Sequence, residues 1–423
     1  MFVRELTSWL SGAADPRTFP YPVVVREFHR VGKHFVEKEL LALLDEARAT
    51  VAGAAAAGGD DEARLLTDFL DVALDKWDGR YDYRSYLALR LLRLPCGADD
   101  PSPAGDDAVS RRARDRLFVR LVADALAFEL AAAAHTTDLL PQQRPGPPVV
   151  TKRCRLGVRA ALPPLARLGL VGAVGDGDPA ATAAALHSLA AGLDADGDRP
   201  LRLSMLPVHV THDEYLFIRV LQAYECLFAG VADELRAVVA ALTGDAPRAA
   251  ADRLEYAAGL LGAAGPLFSL LATMQAESFR TFRQYTEGAS AIQSRSYKLV
   301  ESLCRTPEKD RLDSVAYRSV PEVRSLVRAG QPTIDDAYRS AVRAGRLDGA
   351  DRALVARRME TFAGALSQWR RTHHRIATRM LGPRSGTGYT EGTPYLAAVR
   401  DVPVFTAVTA DSRPVDPVGG RTT

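Results

Sequence analysis

The segment THDEYLFIRVLQAYECLFAGV, residues 211–231, decides the fold of this chain. Its apolar residues recur every three or four positions, which is the spacing of one face of an α-helix. This face is wide enough to lie inside a helical bundle. At its start, Thr211 and Glu214 occupy the positions of a capping box, in which each side chain bonds the backbone of the other residue. We therefore predict a long buried helix over 212–242.

Helical periodicity also dominates the rest of the chain, and no series of alternating strands lies between turn signals. The predicted fold class is therefore all-α, a helical bundle. Stretches rich in Pro and Gly at 95–107, 141–150 and 194–200 mark loops or the edges of insertions. The helices are predicted at 34–53, 60–79, 83–94, 110–136, 180–192, 212–242, 250–277, 290–303, 334–344 and 348–381.

The composition is that of a folded globular protein. Among 423 residues, 54 basic side chains nearly balance 52 acidic ones, and they form no long block of one sign. Neither a nucleic-acid nor a membrane partner is therefore expected. The N-terminus lacks the basic start and apolar core of a signal peptide, and no apolar run reaches the length of a membrane span. We predict a cytoplasmic protein.

Cysteine and histidine spacing argues against a structural metal site. The four cysteines are far apart and form no CxxC pair, so neither a zinc knuckle nor a disulfide framework is predicted. His209 and His212 lie three residues apart beside acidic residues, which could indicate a metal site. The capping box already explains Thr211 and Glu214, and no third ligand is suitably spaced, so we do not favour that interpretation.

A histidine lies on the apolar stripe of the last long predicted helix. The stripe consists of Phe362, Leu366, Trp369, His373, Ile376 and Met380. A buried imidazole with no carboxylate within one turn either bonds a backbone acceptor in the core or acts as a ligand. His374 flanks it, about 100° around the helix. The helix is predicted to stop at Gly382, and a Gly-Thr-Gly loop follows.

Four motifs resemble those of the tryptophan 2,3-dioxygenase family, in the same order. YRSYLALRLL at 83–92 is similar to its YxxYLxLxxLL segment, and HDEYLFIRVLQAYECLF at 212–228 to its HDE-aromatic-LFI helix. FRQYTEGASAIQSRSYKLVE at 282–301 resembles its FR…SGFQS…E segment. WRRTHHRIATRMLGPRSGTG at 369–388 resembles the stretch in which a helical histidine binds haem iron. The chain is thus identified as a member of this superfamily of haem-dependent aromatic amino-acid oxygenases.

The resemblance implies the cofactor and its ligand. His373 falls at the position of the proximal ligand of the haem iron, and Gly386 and Gly388 belong to the loop beside the cofactor. No CxxCH motif is present and no cysteine follows His373, so covalent attachment is not expected. The implied cofactor is haem b. The alternative is a core histidine bonded to a backbone carbonyl.

The resemblance also implies substrate-binding residues. They are Arg283 for a carboxylate, Phe217 and Phe279 for an aromatic ring, Thr387 for the amino-acid end of the substrate, and Tyr83 and Tyr86 from a neighbouring subunit. Arginine is a planar, bidentate partner for carboxylates, and aromatic walls suit an aromatic ligand. The alternatives are an ion pair of Arg283 with Glu287 and simple core packing of the aromatic residues.

Two departures from the family pattern concern the reaction. Leu221 replaces the distal histidine, so this catalytic position offers no side-chain base. The GTGGSSG loop becomes GTGYTEG, which brings Tyr389 and Glu391 beside the catalytic Thr387. Dioxygenation or oxidation of the indole ring of L-tryptophan or a derivative is favoured, because peroxide-driven hydroxylation of tyrosine normally requires a distal acid–base group.

The resemblance divides the chain into four parts. We predict a helical extension at 1–73, a haem-binding core at 74–94 and 206–402, an insertion at 95–205 and a flexible tail at 403–423. If Tyr83 and Tyr86 reach a neighbour's pocket, the protein is a homodimer or homotetramer.

The altered loop and the insertion would suit secondary metabolism, with O2 or H2O2 as oxidant. Alternatives are a tyrosine hydroxylase, a tryptophan-rearranging enzyme, a non-catalytic haem sensor or carrier, and a scaffold without cofactor.

Overall fold

The computed structural model describes residues 2–56, 61–97, 107–175, 177–194, 197–382 and 393–408. Within these ranges every regular element is a helix, and an isolated β-bridge joins Gln142 to Thr211. The predicted all-α class is therefore confirmed.

The N-terminal helices form a hydrophobic cluster of their own. They are α1 (Phe2–Leu10), α2 (Tyr21–Val31), α3 (Lys38–Ala56) and α4 (Asp61–Ala73). Phe19 lies at the centre of this cluster, and its ring contacts the rings of Trp9, Tyr21 and Phe69 edge-on at centroid distances of 4.8–6.1 Å. Leu206 completes the cluster from the other side, so the extension is joined to the rest of the protein through packed side chains.

A close backbone contact fastens the extension to the segment before the central helix. Gly32 has φ of +83°, and a Cβ at this position would lie 2.7 Å from the carbonyl oxygen of Val208. Only glycine fits both the conformation and the space. The next residue, Lys33, donates its backbone N–H to Pro207 at 2.8 Å and its buried ammonium group to Asp75 at 2.6 Å.

The segment between the extension and the central helix is also helical. It contains α5 (Tyr83–Tyr86), α6 (Asp107–Ala133), α7 (Pro147–Leu168), α8 (Pro179–Ala191) and α9 (Asp198–Leu203). α6 packs against α7, α8 and the central helix, so these helices share the large hydrophobic cluster of the core. The boundaries predicted at residues 95 and 205 stay a prediction.

Two predictions for this segment need correction. The stretch 141–150, predicted as a loop or the edge of an insertion, is non-helical only up to Gly146. α7 begins at Pro147, because proline is tolerated in the first helical turn, where its missing N–H would have no partner. The helix predicted at 83–94 is a single α-turn. It gives way to turns in which Ala88 and Arg93 have positive φ values of 48° and 54°.

The C-terminal half surrounds one long helix. The helices are α10 (His212–Thr243), α11 (Pro247–Ala263), α12 (Gly265–Leu271), α13 (Ala276–Arg283), α14 (Arg295–Cys304), α15 (Lys309–Leu312), α16 (Val315–Arg318), α17 (Pro321–Arg328), α18 (Ile334–Arg343), α19 (Gly349–Leu381) and α20 (Thr393–Arg400). α10 is the predicted buried helix and packs against α6, α11, α14 and α18. The helix predicted at 250–277 is interrupted at Ala264, just before Pro266.

One apolar stretch, Pro247–Leu271, is long and apolar enough to cross a membrane by composition. More than half of it, 56%, is buried inside the protein. It corresponds to α11 and α12, which pack against α10 and α19. A core helix of a folded bundle has the same composition, so this stretch is a core element here.

The predicted capping box at the start of α10 is wrong. The Thr211 side chain makes no capping hydrogen bond and instead contacts a ring nitrogen of His209 at 2.5 Å. Glu214 accepts from the backbone N–H groups of Val208 at 2.7 Å and His209 at 3.0 Å, because the preceding chain bends back over the helix end. The second box, from Ser290 to Gln293, is present but caps a 3-10 turn before α14.

A buried ionic network joins α6, α7 and α10. The Arg153 guanidinium on α7 donates to Glu129 on α6 at 2.7 Å and to Asp213 on α10 at 2.6 Å, and all three side chains are fully buried. Thr273 accepts a third hydrogen bond from Arg153 at 3.0 Å. The remaining oxygen of Asp213 accepts from the backbone N–H of Gln275 at 2.7 Å. These contacts fix the register of three helices.

Replacing Arg153 with Met should lower the free energy of unfolding by about 3–5 kcal/mol, because two carboxylates would stay buried without their cation. Urea denaturation followed by circular dichroism measures this loss. The control is Arg236→Met, which removes a partly exposed ion pair and should cost about 1 kcal/mol or less. Equal losses in the two variants would contradict the structural role of the network.

Candidate functional site

A cavity lies between α10 and α19 and is closed by α5, α12, α13, α14 and α20. The cavity has a volume of about 250 Å³. Most of its wall is apolar, and many of the side chains are aromatic. These are Phe217, Tyr224, Phe228, Phe268, Phe279, Phe282, Tyr297 and Trp369. Such a site suits a flat apolar ligand.

His373 lines this cavity from α19. Its ring lies 5.1 Å from the ring of Trp369 and 6.1 Å from that of Phe268, and it makes no hydrogen bond to any described residue. Burial, with a smaller effect of His374, lowers the pKa of His373 to about 4. The imidazole is therefore neutral at physiological pH, and a neutral ring nitrogen is the form that ligates a metal.

Two aromatic residues with a predicted role in substrate binding meet at the cavity wall. The rings of Phe217 on α10 and Phe279 on α13 are 5.6 Å apart and edge-on. Phe282 contacts both rings at 5.3 and 5.5 Å and is fully buried. Sequence reasoning missed Phe282, although it directly precedes Arg283 in the quoted motif. Leu221, at the predicted distal position, lines the same cavity one turn after Phe217.

Several basic side chains reach the cavity. Arg283, predicted to bind a carboxylate, lines it from the end of α13. Arg370 also lines it, donating to the Tyr297 hydroxyl at 3.0 Å and to a backbone carbonyl at 2.7 Å. Lys298 lies 3.4 Å from Glu301. Cationic groups in an apolar cavity favour a ligand that carries a carboxylate.

Tyr83 and Tyr86 line the cavity of their own chain. Their hydroxyls donate to Glu225 and Glu214 of α10, each at 3.2 Å. Burial raises the pKa of both phenols well above the ordinary value, so they stay protonated. The resemblance implied that a neighbouring subunit supplies these tyrosines. In this structure both tyrosines line the cavity of the chain that carries them, and their contribution to a neighbouring subunit stays a prediction.

Sequence reasoning missed Glu225. It lies four residues after Leu221 on α10, so both face the cavity from successive turns. Its carboxyl group is buried and accepts from the hydroxyl of Tyr83, and the neighbouring Ser294 and Ser296 stabilise its charged form. Burial raises its pKa to about 7. An acidic residue on the apolar face of a predicted buried helix was the signal available in the sequence.

The loop after α19 lies outside the described residues. This applies to Gly386, Thr387 and Gly388, and also to Tyr389 and Glu391. The helix before the loop and the helix after it both contribute to the cavity wall. Their lining residues are Met380, Leu381, Tyr395 and Leu396. The predicted roles of the loop residues stay predictions.

The histidines before α10 are held by packing. The His209 ring stacks on Tyr285 at 5.1 Å, and the His212 ring lies 4.7 Å from that of Phe128. His212 Nε2 is 3.2 Å from a carboxylate oxygen of Glu129. In the part of the chain that the structure describes, no group of three His, Cys, Asp or Glu side chains could hold a metal ion.

Comparison with known proteins points to one family. The sequence model of that family, described as tryptophan 2,3-dioxygenase, matches residues 202–327. A tryptophan 2,3-dioxygenase from Nocardioides sp. is 29% identical over 213 residues, which are 44% of this chain and 79% of the relative. A tryptophan 2,3-dioxygenase from Burkholderia mallei is 26% identical over 239 residues, 49% of this chain and 78% of the relative. These matches support a tryptophan 2,3-dioxygenase-like superfamily for this chain.

The matches to tryptophan 2,3-dioxygenases support a haem-dependent oxidoreductase with haem b as its cofactor. The cavity of this chain fits that group. It offers a neutral imidazole that bonds none of the described residues, aromatic and aliphatic walls, and basic side chains for carboxylates. The Nε1 donor of Trp369, one turn before His373, is buried and has no hydrogen-bond partner among the described residues.

The raised pKa of Glu225 predicts a pH-dependent stability. Above the ordinary value of 4.5 the unfolded chain loses this proton, while the folded chain keeps it until about pH 7. The free energy of unfolding should therefore fall as pH rises through this window. At about 1.4 kcal/mol per pKa unit, the fall is about 3 kcal/mol.

Glu225→Gln should abolish this part of the pH dependence, since an amide does not ionise. Urea denaturation of wild type and variant at pH values on both sides of the window measures the difference. The control is Glu360→Gln, a change of an exposed residue on α19. Parallel curves for wild type and Glu225→Gln would contradict the raised pKa.

Proposed function

We propose that the protein oxygenates the aromatic ring of an amino acid, with the indole ring of L-tryptophan or a derivative as the favoured substrate. The observation that carries the proposal is one cavity that combines the neutral imidazole of His373, aromatic walls and the guanidinium of Arg283. Each of these features suits one part of the reacting complex: the cofactor, the ring and the carboxylate.

The haem, when bound through His373, supplies the activation of the oxidant. The side chains supply position and exclude water. Arg283 binds the substrate carboxylate, and Phe217 and Phe279 hold the ring between them and the cofactor side of the cavity. The phenylalanine cluster and Leu221 keep this end of the cavity dry, which strengthens the ionic contact with the carboxylate.

Leu221 favours a substrate ring that reacts without losing a proton to that position. Indole is such a ring, because its carbon atoms are electron-rich without prior deprotonation. Hydroxylation of tyrosine with H2O2 is the second candidate, and rearrangement of tryptophan is a third. We place the reaction in the cytoplasm and in secondary metabolism, and we expect a homodimer or homotetramer that uses O2. A haem sensor or carrier would have no use for a carboxylate partner beside the aromatic walls.

Replacing His373 with Ala should remove the Soret band of the purified, haem-supplied protein, because no other described histidine lines the cavity. The matched control is His374→Ala, the adjacent residue on α19, which should keep the band. Absorption spectra of the ferric and ferrous proteins measure the effect. A band that survives in His373→Ala would contradict the proposed ligand.

Replacing Arg283 with Ala should weaken the binding of L-tryptophan about ten- to hundred-fold, the value of a charge-assisted hydrogen bond. The haem absorption shift on titration measures the affinity. Indole, which lacks the carboxylate, provides the control ligand, and its affinity should hardly change. Unchanged affinity for L-tryptophan would indicate that the natural substrate is tethered or decarboxylated.

A further inference from the structure

Two tyrosine–glutamate pairs join α5 to α10. Tyr83 and Tyr86 are three residues apart on α5 and therefore lie on one face. Tyr83 donates to Glu225 and Tyr86 donates to Glu214, each at 3.2 Å, and all four side chains are buried. The two pairs have the same chemistry and length, but their surroundings differ.

The Tyr86–Glu214 pair is part of the scaffold. Both carboxylate oxygens of Glu214 accept from backbone N–H groups, those of Val208 and His209. Burial raises the pKa of Glu214 to about 8, and the two backbone N–H groups, Tyr86 and Lys76 act in the opposite direction. Glu214 does not belong to the cavity wall, although Tyr86 does. This carboxyl group is occupied in holding the chain before α10.

Glu225, by contrast, lines the cavity and has only hydroxyl partners. Tyr83 faces it from α5, and Ser294 and Ser296 face it from the start of α14. No ion pair joins it to any described cation, and no charged group contributes to its pKa. The basic residues on the same cavity wall belong to α13, α14, α19 and α20. They are Arg283, Lys298, Arg370 and Arg400, and the titratable His373 also lies on α19.

We propose that Glu225 is the proton-holding residue of the cavity and that it acts through the hydroxyl of Tyr83. The ligand gives a proton to the Tyr83 oxygen, while Tyr83 gives its own proton to the Glu225 carboxylate. The ligand becomes one unit more negative, Glu225 becomes neutral, and Tyr83 ends unchanged. The reverse transfer returns the proton. Tyr83 is the group that touches the ligand, and Glu225 is a positioning residue behind it.

The chemistry of the two groups supports this direction of transfer. A phenol hydroxyl donates one hydrogen bond and accepts another, so Tyr83 can bond Glu225 and a ligand at once. The pKa of Tyr83 is raised well above 10, whereas burial sets the pKa of Glu225 to about 7. Tyr83 therefore passes a proton on and does not stay ionised, and Glu225 changes its charge near neutral pH.

This inference rests on the proposed function only for the identity of the ligand. Leu221, one turn from Glu225, cannot exchange protons with a bound molecule. The Tyr83–Glu225 pair would provide this proton exchange one helical turn away from Leu221 on the same cavity wall. It would serve a substrate group that must gain or lose a proton as it binds, such as the ammonium group of an amino acid.

The test uses the haem-loaded protein and two readouts. Infrared spectroscopy follows the carbonyl band of the protonated carboxyl group as the ligand-free protein is titrated across pH 7. Absorption titration gives the Kd of L-tryptophan and of indole over the same range. The variants are Glu225→Gln and Tyr83→Phe, and the matched controls are Glu214→Gln and Tyr86→Phe.

We expect a wild-type band with one component that titrates near pH 7 and another near pH 8. The first should vanish in Glu225→Gln and the second in Glu214→Gln, and the Kd should change up to about tenfold per pH unit. Glu225→Gln should flatten the pH profile of Kd. Tyr83→Phe should flatten it too while the infrared titration persists. Both control variants should keep the wild-type profile, which distinguishes a relay from a general loss of structure.

Three results would overturn the relay: no titration near neutral pH, a wild-type Kd profile in Glu225→Gln, or equal flattening in Glu214→Gln. If the proposed function is wrong, neither L-tryptophan nor indole binds, and no Kd can be measured. The infrared band of the ligand-free protein then tests the relay by itself. A titrating band that shifts in Tyr83→Phe and not in Tyr86→Phe supports the relay, and a band insensitive to Tyr83 excludes it.

Discussion

The rest of the structure depends on the burial of α10, which is buried or half-buried along nearly its whole length. Such a helix must satisfy most of its polar side chains from its neighbours, since an unpaired buried polar group costs about 1–3 kcal/mol. The buried polar residues of α10 include His212, Asp213, Glu214, Arg219, Gln222, Glu225 and Glu234. Each neighbouring segment therefore has to bring a particular partner to a particular turn, and this requirement sets the register of the bundle.

Arg219 illustrates the constraint. It is fully buried, donates to Asp124 on α6 at 2.6 Å, and makes further bonds to Ser204 and Gln222 at 2.8 Å. Gln222 in turn donates to the carbonyl of Leu87 at 2.8 Å. One chain of hydrogen bonds thus positions α6, the segment before α10 and the turn after α5. In the first turn of α10, Asp213 binds Arg153 of α7 and Glu214 binds the backbone before the helix. Later turns of α10 form the cavity wall.

The sequence predicts the apolar elements better than the polar contacts. Periodicity identified α10 and the stripe of α19 that brings His373 to the cavity, because burial leaves a spacing of three and four residues. Glu214 and Glu225 could not be interpreted in the same way. A capping box was the local explanation for Glu214, but the hydrogen-bond partners of Glu214 depend on how the preceding chain bends. The partner of Glu225 is Tyr83, 142 residues away. Pairings over such distances leave no local pattern.

The position of the tyrosines gives the N-terminal extension a physical role. α4 is followed by Asp75 and Lys76, and the chain then reaches α5 within a few residues. Asp75 is fixed by Lys33, and Lys76 donates to the Tyr285 carbonyl at 2.9 Å while its ammonium group lies 3.8 Å from the centre of the Tyr81 ring. Lys33 of the extension and Tyr285 of the core therefore both anchor the segment before α5. An anchored α5 holds its hydroxyls against α10, and a rigidly held phenol is what a proton transfer over one hydrogen bond requires.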